Sequence, residues 1–452
     1  MSKSRIPSER PIIAIQLNDS YKPVLDGVAV CTENYARGLN NLGIPAAVAA
    51  PWSPEGDGRD EFPVFRYTSL PIPLWKPYRA GVPDFDPMFR QAFWTWVGQY
   101  AGAEIGRPYL ILPRGMVQPL RIARPEPDRM PAFVIHCHAP FASATLARRI
   151  RNKLRRAGIP AFIVATMHTK FHLDLRRGLP ETIVNQVLRV IRRQFEAADQ
   201  VWSLNPGTLK TLRSYGYEGP VEIVSNGCDF DPPDDAEYRK MRRAGRQVLS
   251  VQAGLGEFIP SEEPVILFVG RLSLQKNISL ILESLAGLDA RSPDQPWKMV
   301  FVGDGSDRAA ISRLVHKLGL QRRVVFLGRI LDRDRLAEQY AAADLFVFPS
   351  VYDNDPLVVR EAAAFRTPAI LAAGSDASTG TVDGRNSFHV EPEREPLVAM
   401  LARLVDPAQK QLVQEVGDAA SREVYRSWET AVKEVARRYR DLVRERTGDL
   451  AP

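Results

Sequence analysis

Four charged side chains in the second half of the chain have types and spacings suited to gripping a phosphorylated ligand: Arg271 and Lys276, then Asp353 and Glu361. The cations follow a short apolar run, Val265 to Val269, and a glycine, Gly270. They precede a segment whose Ile278, Ile281, Leu282 and Leu285 recur at helical spacing. Arginine supplies a planar fork of donors and lysine a compact charge, a combination that suits a diphosphate at the start of a helix. Asp353 lies in the polar turn Tyr352-Asp353-Asn354-Asp355-Pro356, behind the apolar run Leu345 to Phe348. Glu361 lies about one and a half turns into the helical stretch that follows, where Leu357, Val358, Ala362 and Phe365 share neighbouring turns. Strand, turn and helix in this order form a phosphate- and ribose-binding unit. The plain alternative is a solvated helix and loop with ordinary charges.

A second group sits in the first half. Ala132 to His138 (AFVIHCH) reads as a buried strand that delivers His136, His138 and then Pro140 at its end, where open parallel sheets bind ligands. His-x-His is also a metal pattern, but no third ligand stands at a suitable spacing, and no metal is expected. A further apolar run, Ile159 to Thr169, ends in His168, with Lys170 just after it; a capping or satisfied core histidine is an equal reading. Gly27 follows Asp26 at the start of the helical stretch Val28 to Gly43, where a missing Cβ lets a phosphate or sugar approach the backbone. A simple turn reads equally well there.

These residues need a scaffold, and 452 residues exceed what one core supports, so two domains are expected. Apolar runs alternate with helical patterns in both halves, the signature of doubly wound α/β sheets. Residues 1–230 are read as the first domain, 231–264 as a charged, solvated connector, and 265–423 as the second domain. Val424 to Leu442 reads as an amphipathic terminal helix through Val424, Trp428, Val432, Val435, Tyr439 and Leu442. Residues 56–131, rich in proline, glycine and aromatics, show weak periodicity and are left unassigned.

Three scattered cysteines argue against a disulfide or zinc framework, and no run is long and apolar enough to span a bilayer, so a cytoplasmic protein is expected. The net charge of +7 suits an anionic ligand or surface. Leu146 to Arg156 (LARRIRNKLRR) concentrates six basic residues around Leu146, Ile150 and Leu154. It reads either as a surface helix packing its apolar stripe on a sheet or as a peripheral contact with an anionic membrane face. No aromatic-plus-basic recognition motif accompanies it, so nucleic acid is not an expected partner.

Taken together, the Gly-Arg-Leu-x-x-x-Lys-Asn stretch from Gly270, the acid–seven residues–Glu-Ala stretch from Asp353, the Thr367-Pro368 turn, His-x-His, and the Asn226-Gly227-x-Asp229 turn resemble the retaining glycosyltransferases of the GT-B fold (group 1, family 4 type). The resemblance runs from about Pro11 to Arg446, with 56–131 and the connector unmatched. Here Asp353 replaces the family's first Glu, Asp26-Gly27 its Gly-Gly, Gly374 to Thr381 its Gly-Gly-x-x-Glu loop, and Ser387 a glycine. The resemblance implies two Rossmann-like domains facing a cleft, with the terminal helix (about 424–446) returning to the first, acceptor-side domain. It implies a nucleotide-sugar donor, UDP-linked for preference, and transfer to a glycan, lipid or small-molecule acceptor with retention of configuration, without metal or other cofactor. His138, Arg271, Lys276, Asp353 and Glu361 would be catalytic. Gly27, Arg271, Lys276, Ile330, Leu357, Val358 and Glu361 would bind the donor. Rival readings are a non-catalytic sugar-nucleotide-binding or scaffold protein and a sugar-nucleotide epimerase.

Overall fold

The computed structural model describes residues 10–24, 26–54, 60–72, 78–102, 105, 109–111, 117–119, 125–126, 130–252 and 263–448. The chain divides into two compact units, Met1–Ser225 with Trp428–Pro452, and Asn226–Ser427.

The first unit is built on seven parallel strands: β1 (Ile12–Leu17), β2 (Ala46–Pro51), β3 (Val64–Tyr67), β4 (Ala132–Cys137), β5 (Ala161–Met167), β6 (Gln200–Ser203) and β7 (Glu222–Ile223), in the order β7-β6-β5-β4-β1-β2-β3. The central strands β1, β4 and β5 are buried at every position, because helices cover both faces, and hence read as unbroken apolar runs. Strand order reverses between β1 and β4, which puts the crevice beyond their C-termini at residues 18–19 and 138. Within the unassigned stretch, α2 (Pro87–Ala101) packs Phe89, Phe93, Trp96 and Val97 inward, with Asp86 capping it at Phe89 N (2.9 Å). Strand β3 adds to the sheet beside β2. The terminal helix (Trp428–Thr447) packs on α1 (Gly27–Asn41): the Trp428 and Tyr35 rings lie 6.0 Å apart, and Val432 sits where a Cβ on Gly38 would meet it at 2.8 Å.

Helix α4 (Glu181–Glu196) buries Val184, Leu188, Ile191 and Phe195, and helix α3 (Ala142–Arg156) buries Leu146, Ile150 and Leu154. Four of its six cations have intramolecular partners: Arg149 pairs with Asp84, Arg151 and Arg155 with Asp199, and Lys153 sits 3.7 Å over the Trp94 ring. The apolar stripe packs into the core of the first unit. Among the described residues no helix is long and apolar enough to cross a membrane.

The second unit has six parallel strands: β8 (Val265–Val269), β9 (Lys298–Val302), β10 (Val324–Gly328), β11 (Leu345–Phe348), β12 (Ala369–Ala372) and β13 (Phe388–Val390), ordered β10-β9-β8-β11-β12-β13. The order reverses between β8 and β11, the two strands that precede the charged motifs. The loops after β8 and β9 lie backbone on backbone: Gly270 N–H donates to Val302 O (3.0 Å) and Leu272 N–H to Asp304 O (3.0 Å). A Cβ on Gly303, at φ +133°, would lie 1.9 Å from Gly270 O, so only glycine fits that approach.

The expectation of a solvated connector at 231–264 needs correction. Asp235–Gln252 form a helix, α5, that packs against α7 (Arg333–Ala342) inside the second unit. Tyr238, Met241, Gly245 and Leu249 recur every three or four residues among the charges. A Cβ on Gly245 would lie 2.2 Å from Glu338 O, so the glycine lets the helices touch. Arg242 and Arg246 turn inward onto Asp344 (2.5 and 2.7 Å), which also accepts from Val265 N (2.8 Å). Residues 253–262 of that stretch lie outside the described residues. Asp344→Ala leaves the buried Arg246 without its counter-ion and is expected to lower the unfolding free energy by about 3 kcal/mol. Urea unfolding with a wild-type midpoint in this variant would contradict the pinning of α5.

Candidate functional site

The second unit's charged residues converge beyond the C-termini of β8 and β11. Lys276 closes the short helical turn Leu274–Lys276, and its Nζ reaches Asp353 Oδ1 at 2.5 Å with the Phe348 ring 5.1 Å below it. Asp353 Oδ2 accepts from Ser350 Oγ (2.7 Å), which fixes the shorter arm that aspartate brings. Asn277, in the left-handed conformation at φ 57°, ends that turn and opens α6 (Ile278–Arg291). Its Nδ2 donates to Pro349 O (2.8 Å), tying the loop after β8 to the loop after β11. Arg271 is exposed, at the same sheet edge. Lys276 and Asp353 are 12% and 20% exposed along their side chains, so their attraction is only partly screened by water.

Glu361 sits in α8 (Leu357–Ala364), with 7% of its surface exposed. Its Oε2 accepts from the Tyr340 hydroxyl (2.6 Å) and its Oε1 from Arg333 Nη2 (3.3 Å). Burial pushes this carboxyl above the ordinary range, against the pull of Arg333 and Tyr340. Pro356 precedes α8 and leaves its first N–H groups without a capping side chain. Leu357 and Val358 are half-buried there, and Ile330 lies half-buried against the core after β10.

In the first unit the histidines join a buried hydrogen-bonded chain instead of a charged pocket. His138, 2% exposed, has its Nε2 2.8 Å from Gln16 Oε1 and its Nδ1 3.0 Å from His168 Nε2. An amide oxygen only accepts, so His138 carries its proton on Nε2 and His168 donates from its own Nε2. Gln16 Nε2 donates to the Tyr439 hydroxyl (3.3 Å), which lies 2.6 Å from His136 Nδ1, and His136 Nε2 lies 2.6 Å from Thr166 Oγ1. Burial pushes His136 and His138 well below the usual imidazole range and His168 down to about 3. All three rings are therefore neutral at pH 7. A ligand can use His138 only by displacing Gln16 or His168. Cys31, on α1, brings a third potential ligand atom within 4.8 Å of those of His138 and His168, a trio that sequence spacing did not reveal. In this structure the two imidazoles are bonded directly to each other.

Across the reversal between β1 and β4, Asp19 accepts from Phe141 N (3.1 Å), Ser143 N (2.9 Å) and Ser143 Oγ (3.0 Å) and so fixes the start of α3. Gly27 is the first residue of α1, with open space where its Cβ would be; Asp26 caps that helix at Ala29 N (2.7 Å).

Lys276, Asp353 and Glu361 therefore share one end of the second sheet with Arg271, whereas Gly27 and His138 belong to the first unit. Arg333, Tyr340 and Gln16 were missed. Gln16 is a lone polar residue in an apolar strand, a signal that could have been used. Arg333 and Tyr340 carry none, because only the packing of α7 on α8 brings them to Glu361.

The Glycosyltransferase Family 4 model matches residues 25–232 and the Glycosyl transferases group 1 model residues 256–417. Over 202 residues the chain is 32% identical to D-inositol 3-phosphate glycosyltransferase 2 of Catenulispora acidiphila, covering 42% of this chain and 44% of that protein. It is 29% identical over 206 residues to mannosylfructose-phosphate synthase of Agrobacterium fabrum, covering 44% and 43%. The chain thus spans less than half the length of these two curated relatives. Among solved structures, Anabaena HepE in complex with UDP superposes with a TM-score of 0.64 over 94% of this chain and 99% of that one, at 18% identity. Sucrose-phosphate synthase from Thermosynechococcus elongatus superposes at 0.65 over 95% and 99%, at 20% identity. The fold is GT-B, with two Rossmann-like parallel sheets.

The histidine chain has a pH signature. Unfolded imidazoles titrate near 6.5, whereas the folded rings stay neutral to lower pH, so the unfolded state binds more protons in acid. Stability is expected to fall as pH drops below about 6.5, by up to about 1.4 kcal/mol per pH unit for each buried ring. His168→Gln removes one such ring, and urea unfolding at pH 7, 6 and 5 should give it a shallower pH dependence than wild type. Equal slopes would contradict a neutral buried His168.

Proposed function

The chain belongs to the group 1 glycosyltransferases of GT-B fold, and on that premise we propose that it transfers a sugar from a nucleotide-sugar donor, UDP-linked, to an acceptor hydroxyl with retention of configuration. The observation that carries this reading is the meeting of Lys276 and Asp353 at the reversal of strand order, with Arg271 on the same loop and Glu361 one helix away. Preorganised cations at that point stabilise the charge that develops on a departing diphosphate. Glu361 accepts from ribose hydroxyls, and Asp353 orients hydroxyls of the sugar. The bound UDP of the Anabaena protein supports the choice of nucleotide.

In the proposed transfer the acceptor oxygen attacks the anomeric carbon from the face the diphosphate leaves. The bond from that carbon to the phosphate oxygen breaks, and this oxygen takes the acceptor's proton. Lys276 shifts its charge from Asp353 to the phosphates, and Arg271 adds its fork. No metal is needed for this charge balance. The acceptor is a glycan, a lipid or a small molecule, and the relatives named for an inositol phosphate and a sugar phosphate favour a small phosphorylated one.

A panel of nucleotide sugars, assayed for hydrolysis and for transfer to polyol phosphates, tests the reading. Turnover of at least one donor is expected, and none with any donor would refute it. Arg271→Ala and Lys276→Ala should each abolish turnover while leaving the unfolding midpoint in place; full activity in either variant would remove that residue from the site. Glu361→Ala should weaken UDP binding by about 1–3 kcal/mol in calorimetry. An unchanged affinity would contradict the ribose contact.

A further inference from the structure

Glu361 has an arrangement around it that the family motifs do not describe. Its carboxylate is nearly buried, yet the proposed ribose contact requires it to be an acceptor on both oxygens. Ionising a buried carboxyl is costly unless a cation lies close. Arg333, the first residue of α7, stands 3.3 Å from Glu361 Oε1 and 3.7 Å from Asp229 Oδ2, with its guanidinium 3.9 Å over the Phe230 ring. One cation thus serves two carboxylates. Tyr340, two turns along the same helix and fully buried, donates to Oε2. The titratable groups facing Glu361 are therefore Arg333 and Tyr340 from α7, and Cys228 and Asp229 from the segment after β7. Among these, Arg333 is the positive one, and its side chain is 45% exposed, so one face of it stays open to a ligand.

We propose that Arg333 is a positioning residue of the nucleotide site, holding the Glu361 carboxylate charged and aimed at the ribose hydroxyls. The inference rests on the donor-site reading above. With a neutral side chain in place of Arg333, the buried carboxylate would face Asp229 without compensation and take up a proton. A protonated carboxyl has one fewer acceptor for the diol. Lysine at 333 would keep the charge but lose the planar fork and its stacking on Phe230.

Two measurements on the intact chain test this. In the ligand-free protein, carbon NMR of labelled glutamate carboxyls, with Glu361→Gln to assign the signal, follows its titration in wild type, Arg333→Gln and Arg333→Lys. The midpoint should rise in Arg333→Gln and return toward wild type in Arg333→Lys; an unmoved midpoint in Arg333→Gln overturns the proposal. Calorimetry with UDP from pH 8 to 5.5 should show Arg333→Gln losing about tenfold more affinity than wild type toward the acid end, the titration of the nucleotide's own terminal phosphate being common to both proteins. A loss of equal size at every pH would mean that Arg333 merely braces α7, and would also overturn it. If wild type binds no UDP at any pH while the midpoint still moves, the donor-site reading fails and the ribose role of Arg333 falls with it.

Discussion

Lys276 and Asp353 meet at 2.5 Å where the loops after β8 and β11 come together, and the topology of the second sheet brings them there. Strands β8 and β11 are neighbours in the sheet but 75 residues apart at their ends, Val269 and Leu345 differing by 76 in number. The parallel pairing of β8 with β11 sets the chain's two charged motifs side by side on one edge, and the reversal of strand order there opens a crevice between them. Around that pair the backbone is fixed by other means: Gly303 admits the Gly270 carbonyl, and Asn277 ties one loop to the other. The ion pair itself is the replaceable part, since a phosphate can take over what Asp353 supplies.

The first unit has the same reversal, between β1 and β4, and uses it differently. Its polar residues beyond the strand ends are joined through Gln16, Tyr439 and three neutral imidazoles, and Asp19 spends both oxygens on the start of α3. Burial keeps the rings uncharged and their hydrogen bonds are made to one another and to buried neighbours, whereas the second unit's edge carries charge.

Much of this was legible in the sequence wherever local pattern and chemistry coincide. The strands before Arg271 and Asp353 announce themselves as apolar runs because parallel strands are covered on both faces, and the spacing to the cations and acids survives folding unchanged. The helix Asp235–Gln252 was not legible, because its apolar positions are diluted by charges that face inward onto Asp344 rather than outward to water. Arg333 and Tyr340 were hidden for a different reason: they reach Glu361 from another helix, 28 and 21 residues upstream, and no spacing rule carries that contact. The histidines were found as residues but not as a network, since Gln16 and Tyr439 lie at opposite ends of the chain.

The most direct test of the account is a crystal structure of the chain with UDP bound. It should show Lys276 Nζ drawn off Asp353 onto a phosphate oxygen, Arg271 folded over the diphosphate, and both ribose hydroxyls on the Glu361 carboxylate. Nucleotide bound elsewhere, with the Lys276–Asp353 contact intact and Glu361 untouched, would contradict it.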